Sequence, residues 1–119
     1  MSTKTPPDLI VVDDMELIGE MVGEFFERKG FSVKVFSDPL DALDLIRACG
    51  KVMVVSDFQM GNMNGVQFLN EAARNNPGVK GIIMTSEPGK LGNIENPYTV
   101  VEKGLDFLEK IMEQVKKEI

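Results

Sequence analysis

Residues 52–57 read Val-Met-Val-Val-Ser-Asp, a continuous apolar run that ends on an acidic residue. An apolar run of this length without polar alternation predicts a strand that is buried on both faces of a parallel sheet. The rest of the chain favours the same architecture. Short apolar runs alternate with segments whose apolar residues repeat at helical spacing, which is typical of a sheet with helices between its strands.

Four further strands are predicted around this one, at residues 9–12, 31–36, 81–84 and 98–101. Right-handed crossovers between parallel strands place the connecting helices on both faces of the sheet. The predicted fold is therefore an α/β domain with a five-stranded parallel sheet in the flavodoxin-like order 2-1-3-4-5. Residues 1–7 are predicted to be a flexible N-terminus and residues 8–119 a single domain.

Capping residues and apolar periodicity predict the helices. Gly30 closes the first helix, Asp38-Pro39 provides an N-cap and a first helical proline for the second, and Asn64 with Gln67 forms a capping-box variant for the third. The predicted inner faces are Leu17, Ile18, Met21, Val22, Phe25 and Phe26; Leu40, Leu43 and Ile46; Val66, Leu69 and Ala73; and Leu105, Leu108, Ile111, Met112, Val115 and Ile119. Residues 87–97 contain two prolines and two glycines, so the fourth helix of the alternating pattern is predicted to be short or degraded.

Composition excludes several classes of function. The net charge is −6 and the basic residues are scattered, which argues against a nucleic-acid or anionic-membrane partner. The chain has no histidine, so histidine-based triads and histidine–metal sites are excluded, and the single cysteine, Cys49, excludes an internal disulfide. The first apolar run is too short for a signal peptide or a membrane span, and we expect a cytoplasmic location.

Polar side chains that could take part in chemistry stand at the ends of four predicted strands: Asp13 and Asp14, Asp57, Thr85 and Ser86, and Lys103. Ligands of open parallel sheets bind at the carboxyl ends of the strands, so three carboxylates are expected to converge there. Close carboxylates either take up protons or bind a cation, and oxygen donors favour Mg²⁺ or Mn²⁺ over zinc. An ammonium and a hydroxyl nearby could hold phosphate oxygens, which phosphoryl transfer requires.

Each of these residues also has an ordinary structural interpretation. Asp13 and Glu16 could form a capping box, Asp57 could be a turn residue, and Lys103 could be a solvated surface lysine. The hydroxyls at the end of the fourth strand could be plain turn residues. The occurrence of all of them at successive strand ends, in this order, favours a phosphoryl site.

The stretch Val55-Ser-Asp-Phe-Gln-Met-Gly-Asn-Met-Asn-Gly65 resembles the phosphorylation-site loop of bacterial response-regulator receiver domains, the chemotaxis-regulator-like family. The acidic pair, the Thr-Ser pair and the lysine follow in the family's order, and the resemblance covers about Leu9 to Ile119. It implies that Asp57 is the phosphoacceptor. It implies further that the metal ligands are Asp14, Asp57 and the backbone carbonyl of Gln59, with Asp13 acting through water, and that the catalytic and switch residues are Lys103, Thr85 and Ser86.

The resemblance also implies a function. It is that of a phosphorylation-dependent switch of a two-component system, with Mg²⁺ or Mn²⁺ as cofactor and no enzymatic activity beyond self-catalysed phosphoryl acceptance and dephosphorylation. A histidine kinase or His phosphotransfer protein would be the donor, and a downstream protein would be the target. Because the chain ends after its last helix, we expect a stand-alone domain with neither nucleic acid nor membrane as partner. The alternative is a docking module that keeps the fold and works without phosphorylation.

Three residues depart from the family's usual pattern. Gly61 and Gly104 stand where the family commonly has proline, and Val100 stands where an aromatic residue often lies. A cis bond before a non-proline residue costs about 2.5–4 kcal/mol, so a trans Lys103–Gly104 bond, or a strained cis one, is predicted. The loss of the aromatic residue predicts that any output through this face differs from the usual coupling.

Overall fold

The computed structural model describes residues 6–61, 63–92 and 94–118, and within them one parallel sheet is flanked by four α-helices. The strands of this sheet are β1 (Leu9–Val12), β2 (Val33–Phe36), β3 (Val52–Asp57), β4 (Val79–Thr85) and β5 (Thr99–Glu102). The helices are α1 (Glu16–Arg28), α2 (Pro39–Ala48), α3 (Gly65–Asn75) and α4 (Phe107–Glu118). The strand order is β2-β1-β3-β4-β5 with every pair parallel, which confirms the predicted fold.

The strands of the sheet carry an apolar core on each face. Alternate residues of β1 contribute to opposite cores, with Ile10 and Val12 on the side of α2 and α3, and Leu9 and Val11 on the side of α1. Every residue of β3 is buried, as its continuous apolar sequence predicts. Full burial of a Val, Leu or Ile side chain stabilises the fold by about 1.5–3 kcal/mol. Since every residue of β1 and β3 is buried, these two strands are strongly held in place, and so are the residues at their carboxyl ends.

The helix starts follow the predicted caps except at α1. The Asp38 carboxylate accepts the Leu40 N–H at 2.9 Å ahead of Pro39, and Asn64 and Gln67 form the reciprocal bonds of a capping box, each 2.9 Å long. At α1 the N-cap is Met15 and no side chain caps the helix. A capping box from Asp13 and Glu16 is therefore absent.

The connection between β4 and β5 contains only a single 3₁₀ turn, Pro88–Lys90, among its described residues. This confirms the prediction of a degraded fourth helix. Leu91, at the end of the turn, is buried and covers part of the sheet that a full helix would otherwise cover. The described part of the chain therefore has four α-helices rather than the five of a complete alternation.

Several apolar residues predicted to face inward are exposed. Leu40 is 62% exposed, Leu17 is 80% exposed, and Leu105 is fully exposed and precedes α4, which begins at Phe107. These three residues lie in or just before the first turn of a helix, where the helix starts above the sheet edge. Met21, in the second turn of α1, was also predicted to face inward and is 41% exposed. In α3 the fully buried alanine is Ala72, whereas Ala73, which was predicted to face inward, is only half-buried. Ile119 lies outside the described residues.

The predicted flexible segment 1–7 is described only at its last two residues. Residues 1–5 lie outside the described part of the chain, Pro6 is exposed and Pro7, two residues before β1, is buried. In the described part of the chain, no helix is long and apolar enough to cross a bilayer.

Candidate functional site

Three carboxylates meet at the carboxyl edge of the sheet. Asp13 and Asp14 follow β1, Asp57 ends β3, and one oxygen of each lies within 4.8 Å of the others. Asp13 is completely buried and Asp57 nearly so, whereas Asp14 is exposed. Adjacent pairing of β1 and β3, with Val12 opposite Ser56, produces this convergence, as the strand-end argument predicts.

Lys103 closes the cluster from the end of β5. Its Nζ lies 2.9 Å from Asp57 Oδ1 and 3.1 Å from Asp13 Oδ2, and its side chain is 15% exposed. Asp13 uses its other oxygen, Oδ1, to accept the Met15 N–H at 2.9 Å. Lys103 is therefore a buried cation that bridges two carboxylates, and the interpretation of it as a solvated surface lysine is wrong.

Backbone hydrogen bonds fix the strand ends that carry these side chains. Asp13 donates its N–H to Phe36 O at 3.1 Å, and Phe58, which follows Asp57, donates to Met84 O at 2.9 Å. The Lys103 N–H donates to Thr85 O at 2.8 Å. Since each bond ties a site segment to a neighbouring strand, the site is held by the sheet rather than by mobile loops.

The loop after Asp57 is a small antiparallel pairing, Gln59–Met60 with Met63–Asn64, and it leads directly into α3. Gly61 has a φ of 36°, which disfavours other residues. Gly65 N–H donates to Phe58 O at 2.7 Å, and a Cβ on Gly65 would lie 2.6 Å from the Asp57 carbonyl oxygen. Only glycine lets α3 begin this close to the acidic residue.

The hydroxyl residues occupy different environments. Thr85 is buried and its Oγ1 accepts the Glu87 N–H at 3.0 Å, while Ser86 is exposed. Within the described residues, the Thr85 hydroxyl has no hydrogen bond to the acidic cluster. Gln59, the third predicted metal ligand through its carbonyl, is exposed beside Asp57. The structure therefore brings Asp57 into contact with Lys103 and leaves Thr85 and Ser86 bound to their own turn or to solvent.

The peptide bonds of the described residues are all trans, which includes Lys103–Gly104. This confirms the prediction made from the glycine that follows the lysine. The side chain of Lys103 nevertheless reaches both buried carboxylates.

The electrostatics of the site follow from its burial. Burial raises the pKa of Asp57, the hydrogen bond from Lys103 lowers it, and the negative charges of Asp13 and Asp14 raise it, so that the pKa lies above its ordinary value. Burial lowers the pKa of Lys103. The hydrogen bond to Asp57 and the negative charge of Asp13 raise the pKa by more than burial lowers it, so the pKa of Lys103 lies above its ordinary value. Three carboxylates and one ammonium leave a formal charge of −2. An all-oxygen, negatively charged cluster of this kind suits a hard divalent cation.

Two residues of this site were not identified from the sequence. Ser56 donates from Oγ to the Asp57 carbonyl at 2.9 Å, which helps fix the backbone of the acidic residue. Gly65 allows α3 to approach that same carbonyl. A glycine directly after a capping-box asparagine is the signal that could have indicated such a close approach.

The comparisons with known proteins agree with this geometry. Residues 9–116 match the response regulator receiver domain family. The chain is 27% identical over 106 residues to the transcriptional regulatory protein GlrR of Escherichia coli, covering 88% of this chain and 23% of that protein. It is 31% identical over 71 residues to a protein-glutamate methylesterase/protein-glutamine glutaminase of Anaeromyxobacter dehalogenans, covering 60% of this chain and 20% of that protein. The chain spans 20–37% of the length of such curated relatives.

Solved structures share the fold. The response regulator TrrA of Thermotoga maritima, solved in complex with Mg²⁺ and BeF, superposes with a TM-score of 0.78 at 23% identity, covering 93% of this chain and 97% of that one. The receiver domain of an HD domain-containing protein of Pseudomonas fluorescens also has a TM-score of 0.78, at 19% identity, covering 99% of this chain and 92% of that one.

The fold and the acidic edge define a receiver-type α/β domain, whose ligand edge carries carboxylates in place of a phosphate-binding loop. The chain belongs to the response regulator receiver domain family. Receiver domains belong to two-component signalling, and the expectation drawn from the loop around Asp57 is confirmed at the level of the family.

Proposed function

We propose that this chain is a phosphorylation-dependent switch in which Asp57 accepts a phosphoryl group. The observation that carries the proposal is the bridge formed by Lys103 between Asp57 and Asp13, beside the exposed carboxylate of Asp14. A buried carboxylate that already contacts an ammonium has a cation in place for the charge that a phosphoryl group adds.

The transfer itself is a displacement at phosphorus. A carboxylate oxygen of Asp57 attacks the phosphorus of a phosphohistidine, an O–P bond forms, and the N–P bond breaks with its electron pair returning to the imidazole nitrogen. Lys103 stays within reach of the new group because it already contacts Asp57 at 2.9 Å. We infer that Lys103 then binds a phosphoryl oxygen and that the Thr85 hydroxyl responds to the new charge, with Ser86 beside it.

The donor set fits a divalent cation, because its carboxylate oxygens converge within 4.8 Å and Asp14 faces solvent. Asp14, Asp57 and the Gln59 carbonyl would hold the ion, and Asp13 would act through water. When bound, Mg²⁺ (or Mn²⁺) supplies positive charge that offsets the carboxylates and the phosphoryl oxygens. The complex of the related TrrA with Mg²⁺ supports this choice of ion.

The surface around the site favours a protein as the phosphoryl donor. Exposed apolar side chains extend from four of the segments at the carboxyl edge of the sheet, and they are Met15, Leu17, Leu40, Ile94 and Leu105. Apolar side chains around a charged centre are typical of a protein-binding surface. We propose a histidine kinase or His phosphotransfer protein as donor and a downstream protein as target, in a cytoplasmic setting. Because the net charge is −6, we propose that these 119 residues bind neither nucleic acid nor membrane.

A phosphorylation-independent docking module is the second candidate. The observation that favours it is the single 3₁₀ turn between β4 and β5, together with Gly61 and Gly104, where the family commonly has proline. Under this alternative the acidic cluster would serve only to bind a cation.

The test is the intact mass of the protein after incubation with acetyl phosphate or phosphoramidate and Mg²⁺. We expect a gain of one phosphoryl group that disappears with EDTA and in Asp57→Asn. Asp14→Asn should reduce the gain, whereas Asp44→Asn, an exposed carboxylate on α2, should leave it unchanged. A folded wild-type protein that gains no mass would favour the docking module instead.

A further inference from the structure

A cavity lies at the opposite edge of the sheet from Asp57. It has a volume of about 450 Å³ and is formed where β1, β3 and β4 begin, beside the ends of α1 and α4. The cavity is within the size range of small-molecule sites. No residue of the acidic cluster lines it.

Three lysines from three separate segments converge on this cavity: Lys29 after α1, Lys51 before β3 and Lys80 in β4. Ion pairs occupy six other basic residues of the described chain, and they are Arg28, Arg47, Arg74, Lys90, Lys103 and Lys110. No carboxylate among the described residues lies within ion-pair distance of the three cavity lysines. Lys29 lies at the border of the cavity, because its Nζ is also 5.3 Å from the centre of the Phe25 ring, which does not line the cavity.

The two carboxylates of the cavity do not neutralise this charge. Asp8 accepts the Ser32 N–H at 2.9 Å through Oδ2, so one of its oxygens serves the β1–β2 connection. Glu118 is exposed in the last turn of α4. Three ammonium groups against two carboxylates leave a positive cavity on a chain whose net charge is −6.

The floor of the cavity is apolar. Val52 and Met53 are buried beneath it, and the Phe31 ring forms one wall. That ring packs edge-on against the buried Phe26, with the two centres 5.6 Å apart, so its position is fixed by the core. A fixed aromatic wall and an apolar floor favour a planar or apolar group, and the lysines favour an anionic one.

We propose that this cavity binds a small organic anion that combines an aromatic ring with a phosphate or carboxylate group. The ring would lie against Phe31 and Met53, and the anion would lie among the ammonium groups of Lys29, Lys51 and Lys80. Aromatic phosphates and aromatic carboxylates share this chemistry, and the binding assay distinguishes them. The proposal does not depend on phosphorylation of Asp57, because β3 separates the two sites along its whole length.

The test uses backbone amide NMR of the full chain in EDTA, titrated with phenyl phosphate, benzoate and inorganic phosphate. We expect phenyl phosphate or benzoate to shift the amides of residues 29–31, 51–53 and 80. Phenyl phosphate should bind about fivefold more tightly than inorganic phosphate, because burial of the ring adds to the charge contacts. Preference for phenyl phosphate over benzoate would identify the phosphate as the anionic group, and the reverse would identify the carboxylate.

Charge reversal provides the matched comparison. Lys51→Glu with Lys80→Glu should weaken binding about tenfold or more, since two charge-assisted contacts are lost. Lys34→Glu with Lys110→Glu changes the net charge equally at residues outside the cavity, and it should alter the affinity by less than about twofold. Lys51→Gln with Lys80→Gln repeats the test if the reversed variant does not fold.

Four results would overturn the proposal. These are the absence of shifts with every probe, shifts scattered over the surface, equal affinity for phenyl phosphate and inorganic phosphate, and equal weakening by the two pairs of charge reversals. Each of these results would mean that the three lysines are ordinary solvated surface residues.

Discussion

Replacement of Lys103 by methionine removes the ammonium that bridges two buried carboxylates while it keeps a side chain of similar length. In the wild type, Nζ lies 2.9 Å from Asp57 and 3.1 Å from Asp13, and the lysine side chain is 15% exposed. After the change, Asp13 and Asp57 face each other without a cation between them. The variant therefore isolates the electrostatic contribution of the lysine to the fold.

The size of the effect follows from these distances. With an effective dielectric constant of about 20, unit charges at these separations attract by about 5–6 kcal/mol each. Desolvation of the lysine offsets several kcal/mol of this attraction, and breaking a buried pair typically costs about 3–5 kcal/mol. Because Asp14 opens one side of the cluster to solvent, we expect a loss near the lower end, about 3 kcal/mol.

Urea denaturation in metal-free buffer at neutral pH, followed by circular dichroism, measures the loss. Lys110→Met is the matched control, because Lys110 on α4 forms only an exposed pair with Asp106, which directly precedes that helix. It should change the stability by less than about 0.5 kcal/mol. Asp57→Asn in the Lys103→Met background should recover part of the loss, since it removes one of the two repelling charges. A loss below about 1 kcal/mol for Lys103→Met would refute the reasoning, because the lysine would then contribute no more than a surface residue.

Three further predictions follow from individual contacts. Asp57→Asn should stabilise the metal-free protein at neutral pH, because the raised pKa of Asp57 means that the folded state disfavours the charged carboxylate. The gain in stability should shrink as the pH falls towards 3.8, the ordinary pKa of an aspartate, because the wild-type carboxyl group is then protonated. Thermal unfolding at several pH values measures this change. Asn76→Ala should cost about 2–3 kcal/mol in urea denaturation, since the buried amide bonds three carbonyls at the end of α2 and the Gly78 N–H, and a cost below about 1 kcal/mol would contradict this. Gly65→Ala should lower the free energy of unfolding by about 1–3 kcal/mol and slow phosphoryl acceptance, because the new Cβ would lie 2.6 Å from the Asp57 carbonyl oxygen. Gly50→Ala, where a Cβ meets open space, should change neither the stability nor the rate.

The sheet could be predicted from the sequence because apolar runs of four to six residues, separated by helical periodicity, have few other structures available. The convergence of the three carboxylates could be predicted as well, since parallel strands put their carboxyl ends on one edge of the sheet. Leu40 and Leu105 were placed wrongly because periodicity identifies an apolar face but not the point at which the neighbouring layer ends.

The contacts between distant residues could not be predicted in the same way. The choice of Asp13 and Asp57 as partners of Lys103 depends on the positions of β1, β3 and β5 in the sheet and on the paths of the loops after them. The binding of Asn76 to carbonyls at the end of α2 depends on the packing of α2 against α3. The cavity lysines likewise come from segments that meet only when the sheet is assembled.

The most direct test of the proposed function is the location of the phosphoryl group. After reaction with phosphoramidate and Mg²⁺, borohydride reduces an aspartyl phosphate to the corresponding alcohol, and tandem mass spectrometry of the peptides identifies the residue that has changed. We expect reduction at Asp57 alone, with Asp13 and Asp14 unchanged. Modification of Asp13, Asp14 or Ser56 instead, or of no residue in a folded protein, would contradict it.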